Sequence, residues 1–154
     1  MMNNQKSIQD IYIEYWKNYF NFTDRSTRKE YWTPTLINLC INFLLAALTI
    51  MSFSIIGTGS ILGSIFGILF IIFIIANLIP SYAIYFRRFR DAGRQWITAL
   101  IALLVTSSTN ILSNFMENND TLMIILSILI LIVAIYQLVI LLLPSSQTQK
   151  QKWI

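Results

Sequence analysis

"ILGSIFGILFIIFIIANLIPSYAIYFRRFRDAGRQW", residues Ile61 to Trp96, decides the fold. The stretch from Ile61 to Tyr82 carries no charge, whereas Tyr85 to Trp96 carries Arg87, Arg88, Arg90, Arg94 and Asp91. A helix rises ~1.5 Å per residue, so about 20 residues cross the ~30 Å hydrocarbon core of a bilayer. The uncharged part therefore predicts one crossing, and the basic part predicts the turn that follows it.

Outward from this stretch the pattern repeats. Pro34–Phe53, Trp96–Asn114 and Leu122–Leu143 are continuous apolar runs without alternation, which favours helices, since these satisfy their own backbone polar groups in lipid. The fold class expected is an all-α integral membrane protein, with four transmembrane helices preceded by an interfacial amphipathic helix. Thr106 to Asn110 interrupt the third run, so that segment either faces the other helices or dips and returns; crossing is the preferred reading. Composition agrees with a lipid-solvated chain of 154 residues: 56% hydrophobic and 12% charged, with a mean hydropathy of +0.63.

The charges set the orientation. Of the eleven Lys and Arg, five precede the first run, four lie between the second and third, and two follow the fourth. The connections Ser54–Ser60 and Phe115–Thr121 carry none, so the positive-inside rule puts both termini and the arginine turn in the cytoplasm. Asp10, Glu14 and Lys17 interrupt any apolar run near the start, which predicts a retained N-terminus rather than a cleaved signal. Three regions are thus expected: a cytoplasmic N-terminal segment 1–33, a four-helix domain 34–143, and a tail 144–154.

Within the first region, Ile8, Ile11, Tyr12, Tyr15, Trp16, Tyr19 and Phe20 share one helical face, over a helix of about 7–21. Ser7 with Asp10 resembles a capping box at its start. An aromatic face opposite Asp10, Glu14, Lys17 and Asn18 suits a helix lying in the headgroup plane, or one packed on the cytoplasmic ends of the bundle. Further on, Thr27 with Glu30 can cap the first span and Pro34 can occupy its first turn.

Polar and small residues within the spans are the next candidates. Gly59, Gly63 and Gly67 recur at spacing four, which permits close helix approach within the bundle, or between protomers as the alternative. Pro80 removes a helical hydrogen bond, and Asn77 and Ser81 are expected to satisfy the freed groups. Asn38, Asn42, Asn110 and Gln137 read first as hydrogen-bonding contacts between helices, and second as a polar path for a solute.

Chemistry is sparsely supplied. There is no histidine, and Cys40 lies alone in an apolar span, so no metal ligand set, cofactor or catalytic residue is assigned. No Asp, Glu, Lys or Arg lies within a span, which makes a proton-coupled pump a poor reading. The expectation is a non-enzymatic protein. Nucleic-acid binding is excluded, because the basic residues form short segments at a membrane rather than a soluble basic face.

"NFTDRSTRKEYW" before the first span and "RRFRDAGRQW" after the second resemble a bacterial inner-membrane family, domain of unknown function 805, the YhaH-like proteins. That family typically shows Phe-x-Gly-Arg-x-x-Arg-x-Glu-Phe-Trp, then Arg-Arg-Leu-His-Asp-x-Gly, in this order relative to four helices. Phe22, Arg25, Arg28, Glu30 and Trp32 match the first motif, with Tyr31 for phenylalanine and Asp24 where glycine is usual. Arg87, Arg88, Asp91 and Gly93 match the second, with Phe89 for leucine and Arg90 for histidine. The resemblance implies a multi-pass protein of the bacterial plasma membrane and supplies no activity.

Both motifs fall on the cytoplasmic side of the inferred topology. The expectation is a network in which Asp91, Glu30 and Asp24 pair with Arg25, Arg28, Arg87 or Arg88, with Arg87 and Asp91 one turn apart and Gly93 ending the helix. Membrane lipids are the expected partner through this face, with a membrane protein or a second copy as alternatives. A small oligomeric transporter or channel is the competing function, and an immunity or phage-exclusion protein a weaker one.

Overall fold

A computed structural model describes residues 6–57, 60–107 and 120–146. Among them are five helices and no strand: α1 (Ile8–Lys17), α2 (Arg28–Ile56), α3 (Ile61–Asp91), α4 (Trp96–Ser107) and α5 (Asp120–Leu142). Three of these, α2, α3 and α5, are long and apolar enough to cross a membrane. Their most apolar stretches are only 6%, 11% and 11% buried within the protein, so nearly all of that apolar surface faces outward. Polar or small residues buried along α2 and α3 include Asn38, Ser52, Asn77 and Ala83, while the last turns of α3 also bury Ile84, Tyr85 and Phe89.

Several expected boundaries move. α2 begins at Arg28, the start that a Thr27–Glu30 cap implies, with Glu30 in its first turn, and Pro34 lies inside the helix rather than in that turn. A proline there removes only the hydrogen bond to the carbonyl of Glu30, and one lost bond does not stop a helix of 29 residues. α3 runs to Asp91, past the apolar stretch that ends at Tyr82 and up to the expected end at Gly93, so Arg87, Arg88 and Arg90 stand on its last turns. α1 is shorter than expected. The third segment is helical over Trp96–Ser107; the rest of that run, with Asn110, lies outside the described residues.

The chain divides into two compact units. One holds the residues up to Phe22 together with Lys29–Ile84; the other holds Thr23–Arg28 and the residues from Tyr85 onward.

In the first unit, Ser7 opens α1, its N–H donating to Asp10 Oδ2 at 3.3 Å. α1 packs against α2 and α3, burying Ile11 and Tyr15. α2 ends at Gly57, whose φ of +99° is open to glycine and strained for other residues. Ser60 then caps α3 by accepting the N–H of Gly63 at 3.1 Å. α2 and α3 approach closely at Gly63, where a Cβ would lie 2.8 Å from the Phe53 ring; at Gly67 it would meet only Thr49 Cγ2 at 3.6 Å. Gly59 lies outside the described residues.

In the second unit, α4 packs on α5, burying Ala99 and Ala102 on one side and Ile140 and Leu141 on the other. Gln137 donates to the carbonyl of Ala102 at 3.0 Å, a polar contact between helices.

Candidate functional site

Glu30 and Asp91 fall in different units, and each has a basic partner within its own. Asp91 is held by Arg88, three residues earlier on α3. Glu30 is held by Lys6 at 2.9 Å, and Lys6 also bonds Glu14 at 2.6 Å, tying α1 to the start of α2. The two carboxylates hold the Lys6 ammonium more firmly in its charged form, raising its pKa, with Glu14 the larger cause.

Arg88 is fully buried, which is costly for a cation unless every donor is used. Its Nε donates to the carbonyl of Leu141 at 3.1 Å, one Nη to Asp91 Oδ2, and the other to the carbonyl of Leu143. Arg28 adds a bond of 3.3 Å to the carbonyl of Leu142. The C-terminal carbonyls of a helix lack intrahelical partners and carry partial negative charge. α5 has no basic residue in its own last turn, so arginines from elsewhere in the unit cap it.

The segment after α5 completes the arrangement. Ser145 donates to Asp91 Oδ2 at 2.5 Å. Gly93, at φ +78°, ends α3 in a Schellman turn: the Arg94 N–H returns to the carbonyl of Phe89, and its own N–H to that of Arg90, both at 3.0 Å. A Cβ on Gly93 would lie 3.2 Å from Ser146, so glycine serves both the turn and the close approach. Arg88, Asp91 and Gly93 together form a seat for residues 141–146. Pro144 and the missing basic residue at the end of α5 are the sequence signals that would have pointed there.

The other motif arginines divide by exposure. Arg87 is buried, and its carbonyl accepts the Ser26 N–H at 3.4 Å, while Arg90 donates to the carbonyl of Thr23 at 2.7 Å. These bonds fasten residues 23–28 to the end of α3. Arg25, Arg28 and Arg94 are exposed, and Trp96 is 50% exposed. Trp32, in the first unit, has its indole N–H buried with no partner.

A second polar cluster lies in the first unit, built on α1. Tyr12 donates to Asn38 Oδ1 at 2.9 Å, Tyr15 to Asn77 Oδ1 at 3.0 Å, and Tyr19, just past the helix, to the carbonyl of Ala76 at 2.9 Å. Ser81 Oγ lies 3.0 Å from the Tyr15 hydroxyl. Burial raises the pKa of Tyr15, opposed by the hydroxyl of Ser81. The aromatic face read from the sequence is thus a row of hydroxyls on polar groups of α2 and α3. It also corrects the expectation for Pro80: Tyr19 supplies the bond that proline removes, while Asn77 and Ser81 turn to Tyr15.

Beside this row is a partly open cavity of about 280 Å³, lined by Tyr15, Tyr31, Thr35, Asn38, Asn42 and Ser81 among others. The Oδ1 of Asn42 is buried there without a hydrogen-bond partner. Cys40 is exposed on α2. Among the described residues, no three of His, Cys, Asp or Glu come together as a metal ion would require.

The family described as "Protein of unknown function (DUF805)" matches residues 19–153. Inner membrane protein YhaH of Escherichia coli (strain K12) is 35% identical over 96 residues, 62% of this chain and 74% of that protein. Inner membrane protein YhaI of the same strain is 31% identical over 90 residues, 58% of this chain and 68% of that protein. No solved structure matches the chain.

Proposed function

The chain belongs to the DUF805 family of proteins of unknown function, and from that premise we propose a non-enzymatic multi-pass protein whose cytoplasmic face contacts anionic lipid headgroups. The observation that carries this reading is the division among the motif arginines. Arg88 is consumed in capping α5 and is closed to any ligand, whereas Arg25, Arg28 and Arg94 stay exposed, and Trp96, two residues after Arg94, is half-exposed. Exposed basic side chains and an exposed indole suit a membrane surface, where each Lys or Arg near an anionic leaflet contributes about 1 kcal/mol.

Orientation follows from charge, with both termini cytoplasmic and the third segment crossing. Helix length supports a shallow place for α1. About 20 residues suffice to cross the core, so counting back from Ile56 or forward from Ile61 reaches the inner boundary near Ile37 and Pro80. The α1 partners Asn38, Asn77 and Ser81 sit at that depth, which is where an interfacial helix belongs.

The test is retention of anionic phosphatidylglycerol over phosphatidylcholine by the purified full chain, measured by native mass spectrometry. Arg25→Glu with Arg94→Glu should remove the preference, and an unchanged preference would count against this face as the lipid contact. A small transporter or channel is the second reading, favoured by the polar cavity at Asn38 and Asn42. Solute flux in reconstituted vesicles that Asn42→Leu abolishes would place it first.

A further inference from the structure

We propose that the cavity between α1, α2 and α3 is a binding site for a small group bearing O–H or N–H donors, of the size of a glycerol or ethanolamine headgroup. The inference does not rest on the lipid reading of Arg25 and Arg94, which belong to the other unit.

Three observations carry it. First, the Asn42 side-chain oxygen is buried, lines this cavity and has no partner. A buried acceptor left unmade is unfavourable, and native proteins rarely tolerate one without an occupant beside it. Second, the neighbouring polar groups are already engaged: Asn38 Oδ1 accepts from Tyr12, Tyr15 donates to Asn77, and Thr35 donates to the carbonyl of Tyr31 at 2.7 Å. These bonds fix the walls and leave the Asn42 oxygen as an acceptor without a partner beside the cavity. Third, none of the lining residues is charged, so the site offers a phosphate nothing to pair with, while a donor headgroup gains an acceptor among tyrosine and aliphatic walls.

A cavity of about 280 Å³ lies at the small end of ligand sites, which excludes a sugar nucleotide or a peptide. At the inner boundary of the membrane, such a donor group can come from a phospholipid headgroup or from a free small molecule. The acceptor at Asn42 would treat both alike.

Phosphatidylethanolamine and phosphatidylcholine are both zwitterionic, yet only the first carries N–H donors, so their comparison isolates hydrogen bonding from charge. Native mass spectrometry of the full chain with equimolar amounts of the two, in matched acyl chains, should show phosphatidylethanolamine retained about five- to tenfold over phosphatidylcholine. Asn42→Leu should erase that preference while Gln137→Leu, on α5, keeps it. Saturation-transfer NMR of free glycerol and free ethanolamine, with the protein in phosphatidylcholine nanodiscs, separates the sources. Transfer that is lost in Asn42→Leu identifies a free solute, and donor-lipid preference without transfer identifies the headgroup. Absence of both in the wild-type chain overturns the proposal, as does a preference that Asn42→Leu leaves intact. The wild-type measurements stand even where the leucine variant fails to fold.

Discussion

The hydroxyl of Tyr19 donates to the main-chain oxygen of Ala76 at 2.9 Å, the carbonyl that Pro80 deprives of its helical partner four residues on. Proline inside a helix is tolerated when a neighbour takes up the freed group, and here the neighbour comes from the segment after α1. Tyr19→Phe should therefore destabilise the docking of α1 by about 1 kcal/mol, the cost of leaving a part-buried acceptor unmade. Adding Pro80→Ala should recover most of the loss, because alanine restores the N–H within α3. Unfolding of the full chain in mixed micelles, run as a double-mutant cycle, measures the coupling. Additive effects would mean that the tyrosine is not compensating for the proline.

The buried ion pair at Arg88 gives a second prediction. Its three donor nitrogens reach Asp91 and the carbonyls of Leu141 and Leu143, so Arg88→Ala would leave a buried carboxylate without its cation and two carbonyls at the end of α5 without these donors. Loss of one partner of a buried pair costs about 3–5 kcal/mol. Arg88→Lys should recover only part of this, since a single ammonium lacks the planar fork that serves three acceptors. Membrane yield and thermal aggregation of the two variants should rank wild type, lysine, alanine in that order. A lysine variant as stable as the wild type would show that charge alone suffices.

The long helices were legible because lipid demands continuous apolar runs, and Ile61–Tyr82 has no competing interpretation. The face of α1 was legible too, from the period of Ile11, Tyr12, Tyr15 and Tyr19. What that face touches was not. Periodicity says which residues point together, whereas the hydroxyl partners Asn38, Asn77 and Ala76 depend on where three helices meet. Charge counting likewise treated the arginines as equivalent signals of topology. Burial of Arg88 depends on the C-terminus of α5, 53 residues away in sequence, and no local pattern encodes that contact. Spacing alone does not separate Arg87 from Arg88 as the partner of Asp91, since three and four residues both suit a helix, and the buried pair is with Arg88.

The glycines of α3 yield a third prediction, sharpened by their unequal surroundings. A methyl group at Gly63 would press into the Phe53 ring at 2.8 Å, but at Gly67 it would make ordinary contact with Thr49 at 3.6 Å. Gly63→Ala should destabilise the α2–α3 pairing by about 1–3 kcal/mol through overpacking, and Gly67→Ala should be near neutral. Phe53→Leu combined with Gly63→Ala should recover stability by making room. If Gly67→Ala were the more damaging of the two, and only at protein concentrations that permit association, the glycine face would instead be a contact between copies.

The last prediction concerns alkaline pH and the attachment of α1. Lys6 and Tyr15 both have pKa values raised above those of the free groups, Lys6 chiefly by Glu14 and Tyr15 by burial. A group that holds its proton more tightly when folded contributes stability that is fully present below its unfolded pKa, which is 10.0 for tyrosine and 10.5 for lysine. That contribution is lost as pH rises through the folded value. Both shifts have the same sign, so both contributions to the docking of α1 should be lost above about pH 10. Hydrogen exchange across residues 8–17, followed beside tyrosinate absorbance, should show loss of protection coinciding with ionisation. Tyr15→Phe should flatten much of the transition, because phenylalanine keeps the packing and has no proton to lose. Lys6→Gln should remove only the smaller, solvent-screened part, since Lys6 and Glu14 are largely exposed. Protection that falls at the same pH in Tyr15→Phe would show that the buried hydroxyl is not what couples α1 to pH.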